Sequence, residues 1–202
     1  EWGIAKLNHL DPKSVISFSS KTVPILAVLR KNLFDKRNTQ IIYTGKLPDF
    51  FYADLVRSVY GYDFELKKVD NLNQLPDFNG STILVSQQLE INSTELVKGI
   101  DFYVNLFPQL GSVLLISGES NKSYVSDIQH VRRRETIAMT PSNSLIALKS
   151  LINQAPFEVM ESNVTANKAS VLDSISTITV ADTPALVGSS GLSIQYAIMM
   201  GL

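Results

Sequence analysis

The sequence contains no cysteine and only two histidines, His9 and His130. The missing cysteines remove disulfides, thiolate nucleophiles and cysteine-based zinc sites, and leave the redox compartment unspecified. Two imidazoles cannot complete a coordination sphere without carboxylates, so no metal site is expected. Charge of one sign is scarce as well. Lys and Arg number 18 against 19 Asp and Glu, a net charge of −1. Such a chain has no overall field to attract nucleic acid, and no nucleic-acid partner is expected.

Long apolar runs are also missing. A bilayer-spanning helix needs roughly 18–20 apolar residues. The nearest stretch, residues 185–202, is interrupted by Gly188, Ser189, Ser190, Gly191, Ser193 and Gln195, and it reads as a buried helix rather than a transmembrane segment. The start, Glu1-Trp2-Gly3, has neither an initiator Met nor a signal-peptide pattern. The chain therefore reads as a processed or excised piece, and it is expected in the cytoplasm.

What is present supports a core. Hydrophobic residues make up 45% of the 202 and charged residues 18%, enough for one large domain or two small ones. Seven β-rich apolar runs read as strands, at residues 15–18, 40–44, 64–69, 82–86, 112–117, 136–140 and 157–161. Segments with helical period lie between them, at residues 22–34, 50–60, 93–107, 123–134 and 144–153. In the third, Leu96, Val97, Ile100, Val104 and Phe107 share a face, and Asn92 with Glu95 forms a capping pair. Alternating strand and helix specify an α/β fold, a mixed or largely parallel sheet covered by helices. Polar residues 69–80 suggest a boundary between subdomains at 1–75 and 76–202. Each would hold a similar βαβ-type half, residues 41–69 echoing 137–161.

The motifs that carry chemistry are fragmentary. Gly118-Glu119-Ser120-Asn121-Lys122-Ser123 follows a strand and precedes a helix, the context in which amides and a lysine hold phosphate. A phosphate loop also needs glycines where Asn121 and Ile116 stand, so an ordinary polar turn is the favoured reading. Arg132, Arg133 and Arg134 close the next helix, where cations oppose the helix dipole. Gly188-Ser189-Ser190-Gly191 lacks the spacing of a nucleophile elbow. Asp182 before Thr183-Pro184 reads as a turn, and His9 has no recognisable partner. Three sequons, at Asn92, Asn121 and Asn163, matter only in a eukaryotic secretory context. No catalytic residue is assigned. The nucleotide-binding candidates are Lys122, Ser123, Thr140, Ser142 and Asn143.

The last third runs Thr136-Ile137-Ala138-Met139-Thr140-Pro141-Ser142-Asn143, then an apolar helix, then Phe157-Glu158-Val159-Met160, and later Thr183-Pro184-Ala185-Leu186-Val187-Gly188-Ser189-Ser190-Gly191-Leu192. This resembles actin-like bacterial assembly proteins of the PilM and FtsA type and their degenerate relatives in pilus and type II secretion platforms. The resemblance implies a non-catalytic scaffold of a membrane-associated assembly machine, with protein partners. The family's adenosine glycines are replaced here by Pro141-Ser142-Asn143, and in the echoing unit by Gly45-Lys46-Leu47. No Asp-x-Gly phosphate loop is visible. The expected cofactor is therefore none, with ATP the one candidate and no intact motif for it. An enzymatic or nucleotide-binding doubly wound α/β domain is the alternative, its ligand lying among residues 44–46, 117–123 and 140–143 at strand ends. A secreted, two-lobed ligand-binding protein is the third. The strand order of the sheet discriminates among these.

Overall fold

The computed structural model describes residues 1–49, 51–72, 75, 77–158, 163–181, 183–188 and 190–201. Six strands form one sheet: β1 (Val15–Phe18), β2 (Thr39–Tyr43), β3 (Glu65–Lys68), β4 (Ser81–Gln87), β5 (Phe102–Phe107) and β6 (Gly111–Ile116). Their spatial order is β1-β6-β5-β4-β2-β3. β3, β2, β4 and β5 are successive parallel neighbours. β6 is antiparallel to both β5 and β1, so β1 points the same way as the parallel set and β6 alone is reversed. The α/β class with a mixed, largely parallel sheet is thus the fold of this chain. Strands from both sides of residue 75 share that sheet, since β2 lies between β3 and β4.

The helices are α1 (Trp2–Leu7), α2 (Val23–Phe34), α3 (Ala53–Tyr60), α4 (Tyr124–Glu135), α5 (Pro141–Asn153), α6 (Val164–Thr179) and α7 (Gly191–Gly201). Alternate residues of each central strand enter different layers, so both faces of the sheet are apolar. Ile16, Phe18, Ile41, Ile83, Val85, Val104 and Leu114 pack with α2, α3 and α4 through Ile25, Val28, Val56 and Ile128. Val15, Ile42, Leu84, Tyr103, Val113 and Leu115 pack with Ile4 of α1, Ala147 of α5 and the loop residues Ile91 and Ile100. The turn from β5 to β6 depends on Gly111, whose φ of +128° is joined by a second constraint: an added Cβ would sit 2.2 Å from the Phe18 carbonyl oxygen.

Five of the seven expected strands are present, at or within one or two residues of the expected bounds. Four of the expected elements need correction. Residues 93–107 are not a helix: 93–101 are an irregular loop and Phe102–Phe107 is β5 at the centre of the sheet. Buried Asn105 donates to Thr94 Oγ1 at 3.0 Å, and the Thr94 amide donates to Asn8 Oδ1 at 2.6 Å. The Tyr103 hydroxyl accepts from the Val97 amide at 2.6 Å. These side chains satisfy backbone groups that a helix would have paired internally. Asn92 donates to Glu90 instead of capping.

Residues 136–140 form no strand: they are a bend followed by coil. The Ile137 carbonyl accepts from the amide of Ser19, next to β1, at 3.0 Å, and the Thr136 and Ser19 hydroxyls meet at 3.4 Å. Residues 157 and 158 are coil, and the rest of the seventh expected strand, 159–161, lies outside the described residues. The helix expected over 185–202 is shorter, Gly191–Gly201, and no residue in it is buried. It rests on α3 and α4, held by Tyr196 against Arg30 and Tyr60. Among the described residues no helix is long and apolar enough to cross a membrane.

Candidate functional site at the carboxyl edge of the parallel strands

The chain leaves β2 through residues 44–52 and α3 to reach β3 on one side, and it leaves β4 through residues 88–101 to reach β5 on the other. The first connection packs on one face of the sheet through Val56 and the second on the opposite face through Ile91 and Ile100. Two adjacent parallel strands whose following connections diverge to opposite faces leave a crevice between their carboxyl ends, the position where open α/β sheets hold ligands.

A cleft of about 400 Å³ occupies that position. Lys21 lines it from the turn after β1; Gly45, Lys46, Leu47, Pro48 and Asp49 from the loop after β2; Gln87 from the end of β4; and Leu106 and Pro108 from the end of β5. Leu106 and Pro48 are buried and form an apolar floor. The loop's course is set locally. The Thr44 amide donates to the Val85 carbonyl at 3.1 Å, Gly45 turns in the left-handed region at φ +75°, and the Phe51 amide closes a turn on the Pro48 carbonyl at 2.9 Å. Lys21 is positioned by its neighbour. Ser20 Oγ accepts from the amides of Thr22 and Val23 at 3.2 and 3.1 Å, and Ser112 Oγ donates to the Ser20 carbonyl at 2.6 Å.

Among the described residues neither Lys21 nor Lys46 takes part in an ion pair, while every other cation pair lies elsewhere. Two ammonium groups thus enter the cleft against one carboxylate, Asp49. Ser20 has already taken the amides of the N-cap Thr22 and of Val23, the first residue of α2, so attraction for an anion falls to the lysines rather than to the helix terminus. No cluster of three or more metal-ligating side chains exists among the described residues.

The residues expected to bind nucleotide are divided between the two ends of the sheet. Lys122 and Ser123 follow β6, the reversed strand, and so lie at the amino edge of the parallel set. Lys122 pairs with Glu119 at 2.7 Å, which holds its ammonium above the ordinary lysine value. Ser123 stands at the α4 N-cap without a side-chain hydrogen bond. The buried member of this motif is Asn121, which donates to Ser117 O at 2.7 Å and accepts from Arg37 at 3.0 Å.

Thr140 and Asn143 lie at the carboxyl edge and act structurally. Thr140 Oγ1 accepts from the Asn143 amide at 3.2 Å, capping α5, and Asn143 Nδ2 donates to the Leu110 carbonyl at 3.0 Å, fixing the β5–β6 turn. Ser142 is exposed on the first turn of α5. None of the five lines the cleft. Of the three loops expected to share a site, only 44–46 reaches it. Asp182 and Ser189 lie outside the described residues.

No protein-family model matches the sequence, and no curated protein matches it. Solved structures do. A candidate L-allo-threonine aldolase from Listeria monocytogenes aligns with TM-score 0.49 and 14% identity, over 76% of this chain and 56% of its own. An O-acetylhomoserine sulfhydrylase from Wolinella succinogenes aligns with TM-score 0.34 and 13% identity, over 69% of this chain and 56% of its own. A NifS-like protein aligns with TM-score 0.34 and 12% identity, over 75% and 58%. The chain spans little more than half the length of each. At these identities the likeness concerns the fold.

The expected non-catalytic, actin-like assembly scaffold is corrected here. The sheet has four adjacent parallel strands with connections on both faces, which the doubly wound alternative requires, and beside them an antiparallel β5–β6 hairpin. The actin-like motif segment, 136–143, is a bend and coil that lead through the Thr140 cap into the first turn of α5.

Proposed function

We propose that this chain is a ligand-binding domain of doubly wound, enzymatic type that takes a small anionic molecule, with a phosphoryl or carboxylate group, in the crevice between the carboxyl ends of β2 and β4. One observation carries the reading. The divergence point of the strand connections coincides with a cleft into which Lys21 and Lys46 project without acidic partners. Its volume falls in the range of small-molecule sites, and the floor of Leu106 and Pro48 favours a ligand with an apolar body. The lysines would hold the anion as two point charges approaching from different loops. Asp49 offers a proton acceptor beside them, the one carboxylate in the lining.

The test is a titration of the full chain with inorganic phosphate, pyrophosphate and ATP, followed by amide chemical shifts. Saturable shifts centred on residues 21, 45–49 and 87 are expected. They should weaken about fivefold or more in Lys21→Ala or Lys46→Ala, and fall with rising salt. Lys122→Ala should leave them unchanged. Shifts centred on residues 118–123 and abolished by Lys122→Ala would overturn the reading, as would no saturation by any of the three probes.

A further inference from the structure

The largest cavity among those described lies at the opposite edge of the sheet, about 450 Å³ between the end of α2 and the starts of β2 and β3. Its charges are sorted by sign. Lys36 and Arg37 line it from the turn between α2 and β2, and Asp63 and Glu65 from the turn between α3 and β3. β2 and β3 are parallel neighbours, with Gln40 beside Glu65 in register, so the two turns lie side by side. Even so, among the described residues Lys36 and Asp63 form no ion pair, with each other or with any other group. The cavity keeps a basic wall and an acidic wall apart. Between them the accessible apolar surface comes from Leu33 and Phe78, over the buried Leu29 and Phe64, with Asn38 and Thr39 beside it.

Two features make this a shaped site. Arg37 is pinned, donating to Gly80 O and Asn121 Oδ1 at 3.0 Å and to Asp101 Oδ1 at 3.2 Å, so the basic wall cannot fold into the cavity. Lys36 holds a left-handed backbone at φ +52°, a conformation that costs a lysine energy and turns the chain sharply at the rim.

We infer that this cavity binds a zwitterion with an apolar body, a free aromatic or large aliphatic α-amino acid. The carboxylate would face Lys36, the ammonium would face Asp63, and the side chain would lie on Leu33 and Phe78. A purely anionic ligand would meet the acidic wall and a purely cationic one the basic wall. Only a molecule carrying both charges on one end of an apolar body matches both walls and the floor. This site is independent of the lysine cleft at the other edge.

The test uses three probes that share one ring: L-phenylalanine, phenylacetate and phenethylamine. Each is titrated into the full chain and read from the amide shifts of residues 36, 63 and 78. L-phenylalanine should bind saturably and about three- to fivefold more tightly than either singly charged analogue, the factor expected of one solvent-facing charge pair. Lys36→Gln should reduce L-phenylalanine to the affinity of phenethylamine, and Asp63→Asn to that of phenylacetate. Both residues are exposed, so the remaining spectrum should be unaltered. Lys46→Ala should change none of the three affinities, which separates this result from the fate of the lysine cleft. L-phenylalanine binding no tighter than its analogues, equal affinities in both variants and the parent, or no saturation in the millimolar range would each overturn the inference.

Discussion

Asn121 donates to Asp101 Oδ1 across 2.8 Å, and Arg37 donates to the same oxygen at 3.2 Å. The other Asp101 oxygen accepts the Thr82 amide at 2.9 Å. The starts of β4 and β5, the end of β6 and the turn into β2 are thereby tied by one carboxylate. The motif that looked like a damaged phosphate loop is a sheet closure, and the residue that spoils it for phosphate is the one the fold uses.

Two substitutions at adjacent positions should therefore behave differently. Asn121→Ala should lower stability by about 1–3 kcal/mol, because it removes a buried side chain that partners the half-buried Asp101 and Ser117 acceptors. Lys122→Ala should stay within about 0.5 kcal/mol, since its pair with Glu119 is solvent-facing. Urea unfolding of both variants checks this. Equal effects would contradict the closure role.

Tyr103 predicts a pH dependence. Its hydroxyl accepts the Val97 amide and donates to the Val97 carbonyl at 3.1 Å, and burial pushes the phenol up to about 12. The folded state thus binds this proton more tightly than the unfolded chain, whose tyrosines titrate near 10. The contribution is complete below about pH 10 and is lost as pH rises toward 12. Unfolding free energy measured across that interval should fall in the parent and fall less steeply in Tyr103→Phe. The variant should also be less stable at neutral pH by about 1–3 kcal/mol, because the Val97 groups lose their partner.

Gly111→Ala should be among the most damaging single-methyl additions. The φ of +128° is unfavourable for any side chain, and the new carbon would press on the Phe18 carbonyl. A loss above about 2 kcal/mol is expected by thermal or urea unfolding. Gly61→Ala offers a control. It also has a positive φ, +67°, but open space around the position, so its cost should be about 1 kcal/mol.

The attachment of α7 can be tested through Tyr196. Its ring stacks under Arg30, 5.3 Å from the guanidinium carbon, and its hydroxyl accepts from Arg30 at 3.3 Å. Arg30 is in turn held by a two-pronged pair with Glu135, which raises the guanidinium further above its already high value. Since α7 has no buried residue, Tyr196→Ala should accelerate amide exchange throughout residues 191–201 while β2, β4 and β5 keep their protection. Unchanged exchange would show that other contacts hold the helix.

The sheet was legible where strands are short and apolar on both faces, as in Val15–Phe18 and Gly111–Ile116. Phe102–Phe107 was not, because its apolar residues continue the spacing of Leu96, Val97 and Ile100, and helical period cannot distinguish a buried strand behind an apolar loop. What decides it is tertiary: the pairing of Asn105 and Tyr103 with a loop that precedes them. Residues 164–179 form a helix whose polar, charge-poor sequence has little periodic signal. Of the two cleft lysines, Lys46 lay in the 44–46 loop expected at a strand end, and Lys21 was missed. Lys21 belongs to no motif and meets Lys46 only because β1 and β2 end at the same edge. A reading that listed the residue types following each expected strand would have found Lys21 and Lys46 together. Lys122 was more conspicuous in the sequence, yet it follows the one reversed strand.

That reversed strand also bears on the order in which the chain assembles. β5 and β6 form a hairpin from neighbouring residues, closing quickly and locally. β1 has no strand partner except β6, with Val15 opposite Leu115. During synthesis from the amino terminus, Val15–Phe18 therefore emerges long before its partner exists, as a bare apolar strand with an open hydrogen-bonding edge. Contacts so distant in sequence form late, and the waiting strand is where a nascent chain of this fold is most exposed to wrong pairing or to capture by a chaperone.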